Sequence, residues 1–338
     1  MRPDQTNDPA EPEGSEPHAE PAASPERSGA SVTAESAQPA ASPERSGASE
    51  HGTRLWRAPT ALVTGGLIVL VLVIVVMLVV LKLTTTPHAS PLPHPQLAPA
   101  AVVQTVEHLP ASVFANAGVP GRSLVTPPIR LIHQRPATAG RRALVLYVGA
   151  EYCPYCAAMR WPLVIALSRF GTFSDLGLTS SSPQDVFPAT PSFTFRGSSY
   201  RSRYVWFEPV EQYASQPIAT SPSGYAPLQS LSTAQRLMMH RYDNPPFVHG
   251  DLAGTIPFVD VANRIAQAGL SFSPGIIAHM SMAQVAKALV DPSSPVSEAI
   301  VGDANLITAG ICSATGDRPA AVCDSPPVRQ AAHAEGID

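Results

Sequence analysis

The sequence has no excess of positive charge, and its first 57 residues have almost no aliphatic or aromatic side chains. Of the 22 Lys and Arg residues, six lie in residues 1–100 and sixteen in residues 101–338; the 26 Asp and Glu residues divide into ten and sixteen. The part after residue 100 is thus electrically balanced, which argues against nucleic acid as a partner. Residues 1–57 cannot bury enough apolar surface to offset their ordering entropy, so we predict a disordered tail there.

One long segment lacks charge altogether. Ala61 to Leu81 is a run of 21 residues, and as a helix it is about 31 Å long, enough to cross a bilayer. We therefore predict a transmembrane helix over residues 58–83. Arg54 and Arg57 precede the run and Lys82 alone follows it closely. The positive-inside rule then places the N-terminus in the cytoplasm and the rest of the chain outside, as in a single-pass protein of the cell membrane.

The chain beyond the predicted span divides into a spacer and one domain. Residues 84–100 are rich in proline, which predicts an extended linker. Residues 101–338 are long enough for one α/β domain. Within it, Thr255–Ala262 has the pattern of a strand with Ala266–Phe272 as its hairpin partner, and Ser232–Tyr242 and Ser281–Val290 have the pattern of helices, with Ser281 a plausible N-cap.

The most informative motif is Cys153-Pro154-Tyr155-Cys156. It follows Ala143–Ala150, an apolar run that predicts a buried strand, and it opens Ala157–Leu167, which predicts a helix. Two thiols on the first turn of a helix suit dithiol–disulfide exchange, because the helix N-terminus stabilises a thiolate on the first cysteine. The second cysteine can then close a disulfide or release a mixed disulfide. We assign Cys153 as the nucleophile and Cys156 as the resolving thiol.

Cys312 and Cys323 are separated by ten residues that include Gly316 and Pro319. Closing so short a loop is worth about 3 kcal/mol in the chain-entropy model, so we predict a structural disulfide between them. A relay role, with electrons passing to Cys156, is the alternative. All four cysteines fall on the predicted outer side of the membrane, where disulfides persist.

The chain resembles the thioredoxin fold, and in particular a prokaryotic family of membrane-anchored thioredoxin-like proteins known as domain of unknown function 929. The resemblance rests on Gly149–Cys156, on Ala166–Gly171, on Thr255-Ile256-Pro257 and on the Cys312/Cys323 tail, and it spans roughly residues 105–325. It implies a fold more than an activity, since the family has no established one.

The thioredoxin resemblance also implies a substrate-docking role for Ile256-Pro257. In that fold a cis-proline before a central strand faces the CxxC, and the preceding residue offers backbone hydrogen bonds to the bound peptide. Tyr155, inside the motif, joins these two as a candidate substrate-binding residue. The chain between Cys156 and Pro257 is longer than in a minimal thioredoxin, so an insertion is expected at about residues 175–250.

One position departs from the pattern. Many thioredoxin-fold oxidoreductases have an acidic residue six positions before the first cysteine, which manages the proton of the second thiol. Here that residue is Tyr147. Glu151 lies closer to Cys153, but we expect it at the strand end and more exposed.

These patterns predict a membrane-tethered, extracytoplasmic thiol–disulfide oxidoreductase of oxidase or isomerase type. It needs no cofactor or metal, acts on cysteine-containing proteins, and exchanges electrons with a possible membrane redox partner. Two alternatives stay open: a non-catalytic thioredoxin-like binding module, and a copper metallochaperone that uses the same cysteines as soft ligands. His240 and His249 are expected to be surface or hydrogen-bonded residues.

Overall fold

A computed structural model describes residues 60–84, 93–119, 129–219 and 221–337 of the chain. The tail predicted for residues 1–57 lies outside the described residues, as do residues 85–92 of the predicted linker. The chain divides into two compact units between Pro87 and His88, and each is described by itself.

The described part of the first unit is a single helix. This helix, α1 (Thr60–Thr84), has 25 residues, and the large apolar side chains of residues 67–80 are exposed. Among the residues that the structure describes, no helix is long and apolar enough to cross a membrane. The transmembrane span predicted for Ala61 to Leu81 is therefore not confirmed.

The second unit is a mixed α/β domain built around one six-stranded sheet. Its helices are α2 (Ala100–Glu107), α3 (Ala111–Ala117), α4 (Pro154–Ser168), α5 (Thr233–Tyr242), α6 (Met282–Leu289), α7 (Pro295–Thr315), α8 (Ala320–Cys323) and α9 (Pro326–Glu335). Its strands are β1 (Ile129–Leu131), β2 (Thr138–Ala139), β3 (Arg142–Gly149), β4 (Gly171–Ser174), β5 (Gly177–Ser180), β6 (Pro191–Thr194), β7 (Ser199–Ser202), β8 (Val205–Glu211), β9 (Tyr213–Pro217), β10 (Tyr225–Pro227), β11 (Phe258–Val261) and β12 (Ile265–Ala268).

Strand β3 is central in the main sheet, whose order is β1-β12-β11-β3-β2 with β8 also paired to β3. The β3–β8 pair is parallel and runs from Ala143–Val205 to Gly149–Glu211. The β3–β11 pair is antiparallel, with Phe258 opposite Val148, and β11 and β12 form the predicted antiparallel hairpin. The apolar run before the cysteine motif is thus a strand buried between two neighbours, as its composition predicts.

The two faces of β3 carry two different cores, because successive side chains of a strand point to opposite faces. Val145 and Tyr147 belong to the larger core and Leu146 and Val148 to the smaller one. Helix α4 lies in the larger core, and all of its side chains except those of Tyr155 and Ser168 are buried. A helix apolar on every side requires such a position.

The segment predicted as an insertion, about residues 175–250, is not a separate body. Strand β8 lies within it and pairs with nearly the whole of β3. The rest of the segment forms two small sheets, β5–β6 and β9–β10, and helix α5. Its strand β7 pairs with β4 in a third small sheet. The β5–β6 and β9–β10 parts reach the end of β3 where the cysteine motif begins, through hydrogen bonds from Ser182 to Tyr152 and from Glu151 to Tyr213.

Candidate active site

The cysteine motif occupies the junction between β3 and α4. Cys153 is the N-cap of α4, and Pro154 fills the first helical position, where no backbone N–H is needed. The backbone N–H of Cys156 donates to Cys153 Sγ across 3.2 Å. Neither thiol is in a disulfide, and exposure separates the two, since Cys153 is 6% exposed and Cys156 is 0% exposed. Cys153 is the more accessible of the two thiols.

The pKa values of the two thiols are shifted in opposite directions. The hydrogen bond from the Cys156 thiol lowers the pKa of Cys153, burial opposes this, and the Cys156 N–H and the charge of Arg160 lower it further. Burial raises the pKa of Cys156 well above its usual value, and its interaction with Cys153 adds to the rise, while Arg160 opposes it. The arrangement therefore favours a Cys153 thiolate beside a protonated Cys156, which is the division between nucleophile and resolving thiol.

A fully buried ion pair lies beneath the motif. Arg160 binds Glu211 with two bonds, from Nε to Oε1 at 2.8 Å and from Nη2 to Oε2 at 2.6 Å, and both side chains are 0% exposed. Nη2 also donates to the Ala150 carbonyl at 2.9 Å, and Nη1 lies 3.4 Å from Ser192 Oγ. A bidentate pair fixes the guanidinium geometrically, so its positive charge is held where it acts on both thiols.

Sequence reasoning missed this ion pair, although a signal was present. Arg160 lies four residues after Cys156, on the same face of α4. It is the only charged residue inside that otherwise apolar helix. A buried cation needs a partner, so the sequence could have indicated a contact. It could not have chosen Glu211, which is 51 positions away at the end of β8.

Tyr147 fills the strand position where the thioredoxin resemblance implies an acid. Its side chain is completely buried, and its Oη has no hydrogen-bond partner among the described residues. A Cβ added at Gly149 would clash with that Oη and would come within 3.2 Å of Cys156 Sγ. The hydroxyl and the second thiol therefore face the same small space, which only a glycine at position 149 leaves open. Burial raises the pKa of Tyr147 well above its usual value, so the hydroxyl stays neutral.

The expectation that Glu151 is exposed was wrong. Its side chain is 4% exposed, and its Oε1 accepts from Thr194 Oγ1 at 2.7 Å and lies 3.4 Å from Arg196 Nε. The end of β6 and the residues after it cover the strand end. Glu151 is thus engaged away from the thiols.

The structure brings Ile256 and Pro257 to the cysteine motif. The carbonyl oxygen of Ile256 lies 3.8 Å from Cys153 Sγ, and the Ile256–Pro257 peptide bond is cis. This segment directly precedes β11, the neighbour of β3. Cys153 is therefore flanked by a stretch of backbone, which is the arrangement that the thioredoxin resemblance implies.

Aromatic side chains surround the motif. Tyr155 is 40% exposed, and its ring meets Phe187 edge to face with centroids 6.0 Å apart. Tyr152 stacks on Tyr225 at 4.1 Å. Phe187 and Tyr225 both come from the segment predicted as an insertion, and neither was identified from the sequence as a site residue.

The other two cysteines form the predicted disulfide, with Cα atoms 5.5 Å apart. It joins the end of α7 to α8. His249 Nδ1 is hydrogen-bonded to Asp251 on the surface, and His240 lies in the last turn of α5. Within residues 60–84, 93–119, 129–219 and 221–337, no three His, Cys, Asp or Glu residues come together as a metal site.

Comparison with known proteins places the chain in a family. A family described as domain of unknown function (DUF929) matches residues 131–313. The chain belongs to this family. No curated protein and no solved structure matches the chain significantly. The DUF929 match runs from the end of β1 into α7, so it includes the cysteine motif, Glu211 and Pro257, while Cys323 falls beyond it.

Proposed function

We propose that this DUF929 domain is a thiol–disulfide oxidoreductase with a thioredoxin-like arrangement. The observation that carries the proposal is a pair of free thiols on one helix N-terminus, where Cys153 accepts the Cys156 N–H at 3.2 Å and is 6% exposed while Cys156 is wholly buried. The lowered pKa of Cys153 and the raised pKa of Cys156 agree with this division. Two cysteines with a purely structural role have no need of this difference between their thiols. The cysteine motif at the end of a central strand and the Ile256-Pro257 segment beside it support the thioredoxin likeness.

The chemistry follows from the two thiols. The Cys153 thiolate attacks one sulfur of a substrate disulfide; a Cys153–substrate disulfide forms, and the second substrate sulfur leaves as a thiolate. In isomerisation that thiolate attacks elsewhere in the substrate and finally displaces Cys153. Alternatively Cys156 loses its proton, attacks Cys153 Sγ and releases the substrate as a reduced thiol. Oxidation of a substrate dithiol is the reverse, and a disulfide-bearing redox partner must then regenerate the Cys153–Cys156 disulfide.

The buried charges assist the second thiol. When Cys156 ionises, the Arg160 guanidinium stabilises the thiolate, and Glu211 keeps that guanidinium in place. Tyr147 Oη has no hydrogen-bond partner in the dithiol form, so its hydroxyl can donate a hydrogen bond to the Cys156 thiolate. We assign Arg160, Glu211 and Tyr147 as positioning residues, because they act through Cys156 and do not touch the substrate.

An extracytoplasmic location is part of the proposal. The Cys312–Cys323 disulfide supports it, since structural disulfides persist in oxidising compartments. The charge asymmetry around Ala61 to Leu81 supports a bilayer anchor with a cytoplasmic N-terminus. An impermeant thiol reagent on intact, mildly reduced cells should then label a cysteine introduced at Pro95 and spare one introduced at Ser36. The reverse pattern would contradict the proposed topology.

Alkylation and trapping test the chemistry. Across a pH series Cys153 should react first, with an apparent pKa below the value of about 8.5 for free cysteine. Cys156→Ala should trap mixed disulfides with other proteins, whereas Cys153→Ala should trap few. A binding module gives no trapped adducts and an ordinary Cys153 pKa, and a copper carrier binds Cu(I) tightly without turnover in a dithiol oxidation assay. Either of these results would overturn the oxidoreductase assignment.

A further inference from the structure

A ten-residue loop, Ser181–Thr190, lies against the cysteine motif. It connects β5 to β6. The backbone N–H of Ser182 donates to the carbonyl of Tyr152 at 2.8 Å, and the Phe187 ring meets Tyr155 edge to face. The loop is therefore attached to the residue before Cys153 and to the one two positions after it.

The loop also has its own internal bracing. Ser181 Oγ donates to the Phe187 carbonyl at 2.9 Å and accepts from the Thr190 N–H at 2.9 Å. Thr190 Oγ1 donates to the same Phe187 carbonyl at 2.9 Å. On the far side, a Cβ added at Gly275 would lie 3.1 Å from the Phe187 ring. Phe187 is thus held in one place, and the loop presents a defined surface.

The surface that the loop and the cysteine motif form together is apolar. Val186, at the tip of the loop, is 73% exposed, and Tyr155 is 40% exposed. Among the described residues of the second unit, six large apolar side chains are exposed, and these are two of them. Exposed apolar groups beside a reactive group mark a surface that another molecule covers.

The same surface has little charge. Residues 181–190 contact the motif through Tyr152 and Tyr155, and residues 255–257 bring the Ile256 carbonyl to Cys153. They contain one charged side chain, that of Asp185. Asp185 Oδ1 accepts from the Val186 N–H at 2.7 Å, so an acidic group is fixed next to the most exposed apolar one. The charges behind the motif, Arg160 and Glu211, neutralise each other.

We infer that Ser181–Thr190 selects the substrate, and that its partner is an extended segment of another protein whose cysteine has apolar, uncharged neighbours. This inference rests on the proposed oxidoreductase function. Apolar neighbours of the substrate cysteine pack on Val186 and Tyr155, whereas acidic neighbours are repelled by Asp185 and gain nothing from the apolar surface. Small anionic thiols are therefore poor substrates.

The test isolates the first chemical step. The full-length Cys156→Ala protein is mixed with the homodisulfide of acetyl-Ser-Leu-Cys-Leu-Ser-amide or of acetyl-Ser-Glu-Cys-Glu-Ser-amide. Cys153 attacks one peptide sulfur, a Cys153–peptide disulfide forms, and the other peptide leaves as its thiol. The rate is followed by mass spectrometry of the adduct. Each rate is divided by the rate of the same peptide with mercaptoethanol, which removes intrinsic differences in disulfide reactivity.

We expect the leucine peptide to react about tenfold faster than the glutamate peptide after this correction, a difference of about 1.4 kcal/mol. Val186→Lys should reduce that ratio to near one, since it removes apolar contact and attracts acid. Val290→Lys is the matched control, because Val290 is also exposed, at 41%, but lies at the end of α6. It should leave the ratio unchanged. Asp185→Asn should raise the rate of the glutamate peptide alone.

The outcomes separate the loop from the chemistry. Equal corrected rates for the two peptides, or equal effects of the two lysine variants, would overturn the selection role while leaving the oxidoreductase in place. The absence of any adduct with both peptides would overturn the oxidoreductase and the selection role together. Thermal unfolding of each variant should match the parent, since both valines are exposed.

Discussion

Tyr147→Phe should make the protein more stable and slower to close its own disulfide. The substitution removes one oxygen from a side chain that is otherwise packed in the larger core. Tyr147 Oη is buried and has no partner among the described residues. An unsatisfied buried hydroxyl costs about 1–3 kcal/mol, so its removal should raise the free energy of unfolding by about 1–2 kcal/mol.

Tyr200→Phe is the matched control for stability. Tyr200 lies in the same region of the core, but its Oη donates to the Leu167 carbonyl at 2.8 Å. Removing that donor takes away one hydrogen bond, although the carbonyl still accepts the Phe170 N–H at 2.9 Å, so we expect a loss of about 1 kcal/mol. Urea unfolding of full-length protein, at unchanged m-value, measures both variants. The two phenylalanine variants should therefore shift the midpoint in opposite directions.

The kinetic effect should have the opposite sense to the stability effect. A hydrogen bond to a charged acceptor is worth about 1.5–3 kcal/mol, so losing the Tyr147 donor should slow closure of the Cys153–Cys156 disulfide by about tenfold to a hundredfold. Stopped-flow decay of a preformed mixed disulfide on Cys153 measures this step. The first attack by Cys153 should change little. A Tyr147→Phe protein that is less stable and closes its disulfide at the normal rate would refute the reasoning.

Three further predictions concern the charges and the second disulfide. Glu211→Gln should lower the free energy of unfolding by about 3–5 kcal/mol, because it leaves the Arg160 cation buried without its partner; urea unfolding checks this, and a loss below about 1 kcal/mol would contradict it. Burial raises the pKa of Asp260 to about 7, so the folded state holds a proton that the unfolded state has released. Its stabilising effect is full below pH about 4 and is lost as the pH rises to about 7, a change of about 4 kcal/mol. Asp260→Asn should remove this part of the pH dependence of unfolding between pH 4 and 8 and leave the smaller parts that come from Asp243 and Asp303, whose pKa values burial raises to about 6. A double Cys312→Ser, Cys323→Ser variant should lose about 3 kcal/mol and keep its trapped adducts; loss of the adducts would favour the relay.

Local patterns in the sequence predicted the elements that form the site. The apolar run Ala143–Ala150 contains most of β3, and the cysteine motif begins α4 as expected. Ser281 was predicted as an N-cap, and it forms a capping box with Gln284. Ser232 does the same with Gln235 at the start of α5. Such features depend on residues three or four apart, so the sequence contains all the information that they require.

Contacts between distant residues were accessible only where a family pattern supplied them. The approach of Ile256 to Cys153 joins residues 103 positions apart, and only the thioredoxin resemblance indicated it. The pairing of Arg160 with Glu211 had no such guide. Phe187 and Tyr225 reach the motif from loops whose course depends on the packing of β5, β6, β9 and β10. No spacing rule in one sequence predicts where such loops lie.

The error over Glu151 has a physical cause that also explains the site. A carboxylate at a strand end is normally exposed, but here Thr194 and Arg196 cover it and bind it. With Glu151 engaged there and Tyr147 neutral, the carboxylate to which we assign a positioning role behind the thiols is Glu211, on the strand parallel to β3. Glu211 holds Arg160 in place, and the charge of that guanidinium lowers the pKa of both thiols. A positive charge stabilises the Cys156 thiolate directly, whereas a buried carboxylate can only accept its proton. Closure of the Cys153–Cys156 disulfide should therefore depend on Arg160 and Tyr147 across the whole pH range. The pH profile of its rate should lack the additional ionisation that a catalytic carboxylate introduces.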